Sequence, residues 1–400
     1  MKRRHIVLVA NDVGGVGGME KHLEEMIARM KQDFAVTVVS SSFRVKDPSG
    51  VRFIRIPVVR KPFPLMTAMF SVLASIRLRF LRESIIHTTG AIVFHPADVA
   101  TIHFCHAGYV HGVTADSRQG KALPQKVNAL LSLRIKLYME KLCYHPRKTA
   151  QLVAVSGRVR HELQAFYPYS SEAIEVIPNG VDVARFYPRS AQEKSRLRTV
   201  KHLPPDGIYL LFMGGDWERK GLRLLLSAFN VLAGDYSNLR VVVVGSGDAV
   251  AFMRTVEPMF RDRIYFAGRQ RDPEAWYGLA NIFVFPSHYE ACSLAVLEAA
   301  ASGLGLVLTD VGGARDVVDD GASGCIVAPS GAEIARTIAA LLDNPVRMQA
   351  MGQLARARVE SMTWDDTYRR FKALYDRLSP VPEQHAQGSS NEPEGAANHA

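Results

Sequence analysis

Four hundred residues with 48% hydrophobic content are enough for two or three packed domains. No uninterrupted apolar run approaches about eighteen residues, so a spanning helix is not expected. The formal charge of +10 is confined to one half: residues 1–183 hold 25 Lys+Arg against 14 Asp+Glu, while residues 184–400 hold 24 against 25. That asymmetry suits an anionic partner for the first half. A membrane surface fits better than nucleic acid, because aromatics for base stacking are sparse there and no nucleic-acid-binding motif occurs. Cys105, Cys143, Cys292 and Cys325 are scattered, without metal-ligand spacing, and read as reduced structural thiols of a cytoplasmic protein. Met1-Lys-Arg-Arg-His runs straight into an apolar strand, unlike a signal peptide.

Ile6-Val-Leu-Val-Ala10 is a short continuous apolar run, the pattern of a buried parallel strand. It feeds Asn11-Asp-Val-Gly-Gly-Val-Gly-Gly-Met-Glu-Lys-His22 and then a helix carrying Leu23, Met26, Ile27 and Met30. Strand, glycine-rich loop and helix make a phosphate-binding arrangement. A dinucleotide fingerprint is not met. Glu20 stands where a third glycine belongs, and the next strand ends in Ser40, Ser41 and Ser42 rather than an acid.

From Arg60 to Arg82, Arg-Lys-Pro-Phe-Pro precedes an apolar segment that ends in Arg77, Arg79 and Arg82. From Lys121 to Lys148, Lys126, Arg134, Lys136, Lys141, Arg147 and Lys148 repeat the theme among leucines. Two readings stand: basic amphipathic helices lying on anionic lipid, or core helices with basic last turns. The repetition favours the first.

Between these segments a strand over Val99–Ile102 places His103 at its carboxyl end, the edge where open α/β sheets bind ligands. His106 competes for that role. Zinc ligation by His103, Cys105 and His106 lacks a fourth ligand at sensible spacing. Further on, Leu152–Ser156 is another strand, and Glu175-Val-Ile-Pro-Asn-Gly-Val-Asp182 is a strand stopped by Pro178 and turned at Asn179-Gly180.

In the second half, the strand Tyr209–Met213 leads into Gly214-Gly-Asp-Trp-Glu-Arg-Lys-Gly221 and a helix from Leu222. Arg219 and Lys220 fall just before that helix, where two cations and the helix dipole can neutralise a departing pyrophosphate. Solvated surface cations are the plainer alternative. Strands recur at Arg240–Val244, Arg263–Gly268, Ile282–Phe285 and Leu304–Thr309. After Pro286-Ser287, Ser293, Leu294 and Ala295 open an Ala-rich helix closed by Gly303. Glu290 on the loop and Glu298 in the helix bracket its N-terminus, whose free N–H groups and dipole suit a phosphate. Ionised carboxylates accept from hydroxyl pairs, so a nucleotide-sugar matches the pair; a capped helix with two solvated acids is the rival. Regular strand–helix alternation gives an α/β fold with doubly wound parallel sheets. Met362-Thr-Trp-Asp begins a last helix, and the stretch 382–400, rich in Gly, Ser, Asn, Glu and Ala, is expected to be a disordered tail.

Glu290-x7-Glu298, with Pro-Ser before it and Glu-Ala-x-Ala-x-Gly after it, resembles the signature of the family-4 retaining glycosyltransferases, two-domain GT-B enzymes. Ile177-Pro-Asn-Gly-Val-Asp182 matches that family's motif letter for letter, and Gly17-Gly18-Met-Glu20 resembles its Gly-Gly-x-Glu loop. His103, Gly268-Arg269 and the loop from Gly312 to Asp316 fall at further landmarks in order. One departure stands out: the Arg usually found directly after the first Gly of the cation loop is Gly215 here, with Arg at 219. Adjacent Arg-Lys is similar to the lipopolysaccharide-core glucosyltransferases.

Over roughly residues 5–378 the resemblance implies two Rossmann-like domains with a cleft between them. Residues 1–183, with a returning helix 363–380, form the acceptor side, and 184–362 bind the nucleotide-sugar. It implies transfer of a hexose from a UDP- or GDP-linked donor, with retention, to a hydroxyl of a lipid-linked or lipopolysaccharide-type acceptor at the inner face of a membrane. In this reading Glu290 and His103 meet the donor sugar, Glu298 the ribose, and Arg219 and Lys220 the phosphates. Gly214, Arg269, Ser293, Leu294 and Ala295 complete the donor site, and Gly17, Gly18 and Glu20 the acceptor-side loop. No metal or cofactor is implied. Two rivals are a nucleotide-sugar epimerase or hydrolase on this fold and a non-catalytic peripheral membrane protein.

Overall fold

The computed structural model describes residues 3–15, 17–81, 84–112 and 123–378. The expected tail from residue 382, together with Arg82, Lys121 and the side chain of Lys126, lies outside the described residues.

Among the described residues thirteen strands, most of them apolar runs, form two wholly parallel sheets. The first comprises β1 (His5–Val9), β2 (Ala35–Ser40), β3 (Val51–Arg55), β4 (Ser84–Thr88), β5 (Ala97–Ile102), β6 (Thr149–Ala154) and β7 (Ile174–Val176). Its order is β3-β2-β1-β4-β5-β6-β7. The second comprises β8 (Ile208–Met213), β9 (Leu239–Val244), β10 (Ile264–Gly268), β11 (Ile282–Phe285), β12 (Gly305–Thr309) and β13 (Cys325–Val327), in the order β10-β9-β8-β11-β12-β13. Both faces of the central strands are buried, which is why they read as continuous rather than alternating apolar runs. This is the doubly wound α/β architecture expected from the sequence.

Strand order reverses between β1 and β4 in one sheet and between β8 and β11 in the other. Such switch points leave a crevice at the carboxyl ends of the strands. The glycine-rich loop leaves the first sheet there, after β1, and the Gly214–Gly221 loop leaves the second, after β8.

Helix Trp364–Leu378 returns to the first sheet. Trp364, Phe371, Leu374 and Tyr375 are buried with Leu23, Met26 and Ile27 of helix Gly18–Asp33. The chain is pinned as it returns: Val181 N donates to Met362 O at 2.9 Å.

Helices Phe63–Leu78 and Leu123–Cys143 pack side by side on the first lobe. The former buries Phe70, Ala74 and Leu78 and exposes Leu65, Val72 and Ile76 beside Arg77; the latter exposes Leu131, Arg134, Tyr138 and Lys141. Each helix has a core face, as the second sequence reading expects, and an outer face of mixed apolar and cationic character. Among the described residues no helix is long and apolar enough to cross a membrane.

Candidate active site

The loop after β8 gathers charge at the interlobe crevice. Arg219 reaches Glu290 Oε1 at 2.9 Å and Asp216 Oδ2 at 2.9 Å, while Lys220 Nζ lies 3.7 Å from Glu290 Oε1. All three of Arg219, Lys220 and Glu290 are largely buried. The Glu290 carboxylate, paired with both cations, holds them in place, and with Asp216 on Arg219 the cluster is formally balanced. Lys220 folds back over its own loop, 4.9 Å from the Phe285 ring centroid. Gly214 permits this: it has φ of 130°, and a Cβ there would stand 2.6 Å from the Lys220 ammonium.

Helix Leu294–Ala301 starts from Ser293, whose side chain makes no capping hydrogen bond, so the first-turn N–H groups are left to other partners. The loop before it rests on Gly312, where a Cβ would lie 2.5 Å from the Glu290 carbonyl oxygen. Glu298 sits one face further along that helix. Burial is the chief influence on its carboxyl and raises its pKa to about 7, against the opposing pull of the Tyr277 hydroxyl and of Arg185. At the outer strands Arg269 Nε donates to Ser246 Oγ at 3.0 Å.

The two lobes meet through the Glu290 loop itself. Tyr289 is fully buried in the first lobe, its ring 4.8 Å from that of Phe104 and its hydroxyl donating to Glu162 Oε2 at 2.8 Å. Asn179 Nδ2 donates to Cys292 O at 3.1 Å. On the other side of the crevice Gly18 faces Leu294, with room for a Cβ at 3.7 Å, whereas a Cβ on Gly17 would meet the Glu20 carboxylate at 2.1 Å.

A cavity of about 890 Å³ opens beside this charge cluster. Its wall includes Arg219, Asp216, His103 and Asn11 together with Phe63, Leu130 and Leu133. His103 follows β5 directly and packs edge-on against His22, ring centroids 4.7 Å apart. Burial lowers the pKa of both, that of His22 to about 4, so both rings are neutral at physiological pH. His103 Nε2 and Asn11 Oδ1 are buried without a hydrogen-bond partner. Buried polar atoms seldom stay unpaired, and two on residues of one cavity wall suit a hydroxyl-bearing ligand. His106 does not share the His103 position. Its ring turns away to Glu140, with Nδ1 at 2.7 Å from Oε1. No group of three His, Cys, Asp or Glu among the described residues is arranged to hold a metal ion, and the zinc alternative finds no support.

Glu290, Arg219 and Lys220 therefore meet, His103 shares a cavity with Arg219, and Glu298 stands apart on the helix. Sequence reasoning missed Tyr289, Glu162, Asn11, Asp216, His22 and the His106–Glu140 pair. Asn11, His22, Asp216 and Tyr289 sit inside stretches already singled out, and His106 was weighed beside His103; Glu162 and Glu140 carry no local signal.

Two facing doubly wound lobes with a cation-lined crevice define the GT-B architecture. Two family descriptions match in tandem: "Glycosyltransferase Family 4" over residues 16–185 and "Glycosyl transferases group 1" over residues 207–344. The chain belongs to the GT-B glycosyltransferases of the family-4 type.

It is 32% identical over 249 residues to a D-inositol 3-phosphate glycosyltransferase of Kineococcus radiotolerans, covering 57% of each chain. It is 27% identical to a glycogen synthase of Mycobacterium tuberculosis over 87% of each chain. The chain thus spans little more than half the length of the first of these relatives. Among solved structures, WaaG, a glycosyltransferase involved in lipopolysaccharide biosynthesis, superposes with a TM-score of 0.78 at 19% identity, over 94% of this chain and all of that one. Anabaena HepE in complex with UDP-glucose gives 0.69 at 16% identity over 94% of this chain and 100% of the other. At such identities the likeness is one of fold.

Proposed function

We propose that the protein transfers a hexose from a nucleotide-sugar, UDP-linked in preference to GDP-linked, to a hydroxyl of a saccharide or lipid-linked acceptor, with retention at the anomeric carbon. The observation that carries this is the Arg219–Glu290–Lys220 cluster at the mouth of a cavity that also holds the unpaired His103 Nε2 and Asn11 Oδ1. Cations fixed where charge develops stabilise a leaving diphosphate without reorganisation. Unpaired neutral polar atoms beside them suit sugar hydroxyls, which both donate and accept. The complexes of HepE with UDP and with UDP-glucose, on the same fold, support the choice of nucleotide.

In this reading the bond from the anomeric carbon to the diphosphate breaks and the acceptor oxygen bonds to that carbon on the same face. The acceptor proton passes to the departing phosphate oxygen. Arg219 and Lys220 neutralise that phosphate, and the N-terminus of helix Leu294–Ala301 adds its dipole. Glu290 holds the cations in register and accepts from donor-sugar hydroxyls with its remaining oxygen. Glu298 accepts from the ribose, Gly214 and Arg269 border the nucleotide, and Gly17, Gly18 and Glu20 face the acceptor. The cations take the place of a divalent metal, and no cofactor enters. The outer faces of helices Phe63–Leu78 and Leu123–Cys143, with their exposed leucines and basic residues, support peripheral attachment to the inner face of an anionic membrane, as lipopolysaccharide or polysaccharide assembly would require.

A thermal-shift and turnover screen of the full chain with UDP-glucose, UDP-galactose, UDP-GlcNAc and GDP-mannose tests the proposal. A donor that binds only the folded state raises the melting point by mass action. The expected result is a shift with one UDP-sugar, product of unchanged anomeric configuration, and turnover insensitive to EDTA. No shift with any donor or free nucleotide overturns the reading.

A further inference from the structure

The cavity beside Arg219 is lined by two unlike sets of side chains, and the set from the two helices has no part in the donor chemistry described above. Phe63 and Thr67 of helix Phe63–Leu78 face Leu130, Leu133 and Met139 of helix Leu123–Cys143 across it. Lys136, whose ammonium lies 5.1 Å from the Phe63 ring centroid, is the one cation on these two helices that lines the cavity among the described residues, and burial lowers its pKa. The same wall holds a built polar device. Glu140 is only 2% exposed, yet each of its carboxylate oxygens is doubly engaged. Oε1 accepts from His106 N at 2.9 Å and from His106 Nδ1 at 2.7 Å, and Oε2 from Ala107 N at 3.2 Å and Tyr167 OH at 2.7 Å. A carboxylate so occupied has little capacity left for a ligand. Its effect falls on His106, whose Nδ1 proton it fixes, leaving Nε2 as a lone-pair acceptor on a ring that lines the cavity.

We infer that this cavity is the acceptor site and that the acceptor is an amphiphilic alcohol. Its head-group hydroxyl donates to His106 Nε2, held by Glu140, and its apolar chain lies between helices Phe63–Leu78 and Leu123–Cys143. The inference rests on the transferase reading and names the substrate class for it. Three features favour an apolar chain over a second sugar. The cavity wall between the helices is chiefly apolar, so a hydroxylated ring there would lose hydration without partners. The same cavity is lined by Arg219 and His103, so chain and reacting hydroxyl belong to one molecule. Finally, Lys136 lines this cavity beside Phe63 and offers a cation to an anionic linkage between head and chain.

Binding of methyl, hexyl and decyl β-D-glucosides, each kept below its micelle concentration, tests this by calorimetry on the full chain. Affinity should rise roughly three- to fourfold per buried methylene until the cavity is filled. Leu133→Trp, which fills the cavity, should abolish that dependence. His106→Ala should weaken decyl glucoside on the order of tenfold, and His106→Gln, which keeps an acceptor, should recover part of the loss. Each variant's UDP-induced rise in melting temperature reports that it folds. Farnesyl phosphate in place of decyl glucoside separates an isoprenoid from a linear chain, and a Lys136→Gln loss specific to the phosphate places the anionic link. Decyl glucoside that binds no better than methyl glucoside overturns the inference, as does decyl binding unaffected by both Leu133→Trp and His106→Ala. A wild-type protein that binds decyl glucoside but gives no response to UDP instead contradicts the transferase reading and leaves the apolar site standing.

Discussion

The hydroxyl of Tyr289 donates to Glu162 Oε2 at 2.8 Å across the lobe boundary, so the residue directly before Glu290 is anchored in the opposite domain. The same hydroxyl accepts from Cys105 N at 3.3 Å, two residues beyond His103. The carboxylate that pairs with Arg219 and Lys220 is thereby tied to the segment that presents His103. Burial pushes the Glu162 carboxyl up, while Tyr289 and Arg158 draw it down.

Tyr289→Phe removes the hydroxyl without changing the packed ring. It leaves the half-buried Glu162 with Arg158 as its remaining side-chain partner. Losing one partner of a buried polar pair costs about 1–3 kcal/mol. Stability by urea unfolding should fall by about that amount, and kcat should fall further than the stability loss explains, because Glu290 is no longer referenced to the first lobe. Unchanged unfolding and unchanged turnover would show that the contact is incidental.

Glu298 predicts an opposite pair of effects. Burial raises its folded pKa to about 7 from an ordinary 4.5. The folded state then binds more protons than the unfolded chain between those two values, so stability falls as pH rises through that window. Glu298→Gln removes the buried charge. The free variant should melt higher than wild type at pH 8 and equally at pH 4. UDP affinity should move the other way, since the ionised carboxylate is the better acceptor for ribose hydroxyls: wild type should bind UDP more tightly from pH 6 to pH 8, and the variant should lack that dependence. A variant that melts lower at pH 8 would contradict the assignment of burial as the dominant influence.

Much of this was legible before any coordinates. Runs such as Ile6–Ala10 and Tyr209–Met213 read as strands because both faces are buried, and Pro286 and Gly303 marked the ends of elements by backbone chemistry alone. Glu290, Arg219 and Lys220 were visible because each sits beside a helix N-terminus that the local sequence announces. What stayed hidden depends on pairing across distance. His106 meets Glu140 from 34 residues away, and Tyr289 meets Glu162 from 127. Neither pairing leaves a periodicity or spacing in the chain. The two basic helical segments were ambiguous for another reason: a helix with a core face and an apolar outer face has little amphipathic contrast to detect.

That outer face is testable. Ile76 is 50% exposed and Phe80 72% exposed, beside Arg77 and Arg79. Val72→Glu with Ile76→Glu places two like charges against an anionic surface and removes two apolar contacts. Co-sedimentation with vesicles containing anionic lipid should drop at least tenfold, and added salt should weaken the wild-type interaction. Melting temperature should change little, because both side chains are exposed. Equal sedimentation of variant and wild type would move the membrane contact elsewhere or remove it.

The strictest prediction concerns the cations. Arg219 bridges Asp216 and Glu290, and Lys220 approaches the same Glu290 oxygen, so the two do not act independently. Removing one preorganised donor typically costs about 3–4 kcal/mol of transition-state stabilisation, or roughly 10²–10³ in kcat. Arg219→Ala and Lys220→Ala should each fall in that range. Because they share Glu290, the double variant should lose less than the product of the single losses. Glu290→Gln separates the two duties of that residue: it frees Lys220 and leaves Arg219 paired with Asp216 alone, so nucleotide affinity should hold or rise while kcat drops. Steady-state kinetics together with UDP titration measures both quantities. A double variant with full turnover would remove Arg219 and Lys220 from the reaction, and Glu290→Gln with weakened UDP binding would mean that the carboxylate serves chiefly to position them.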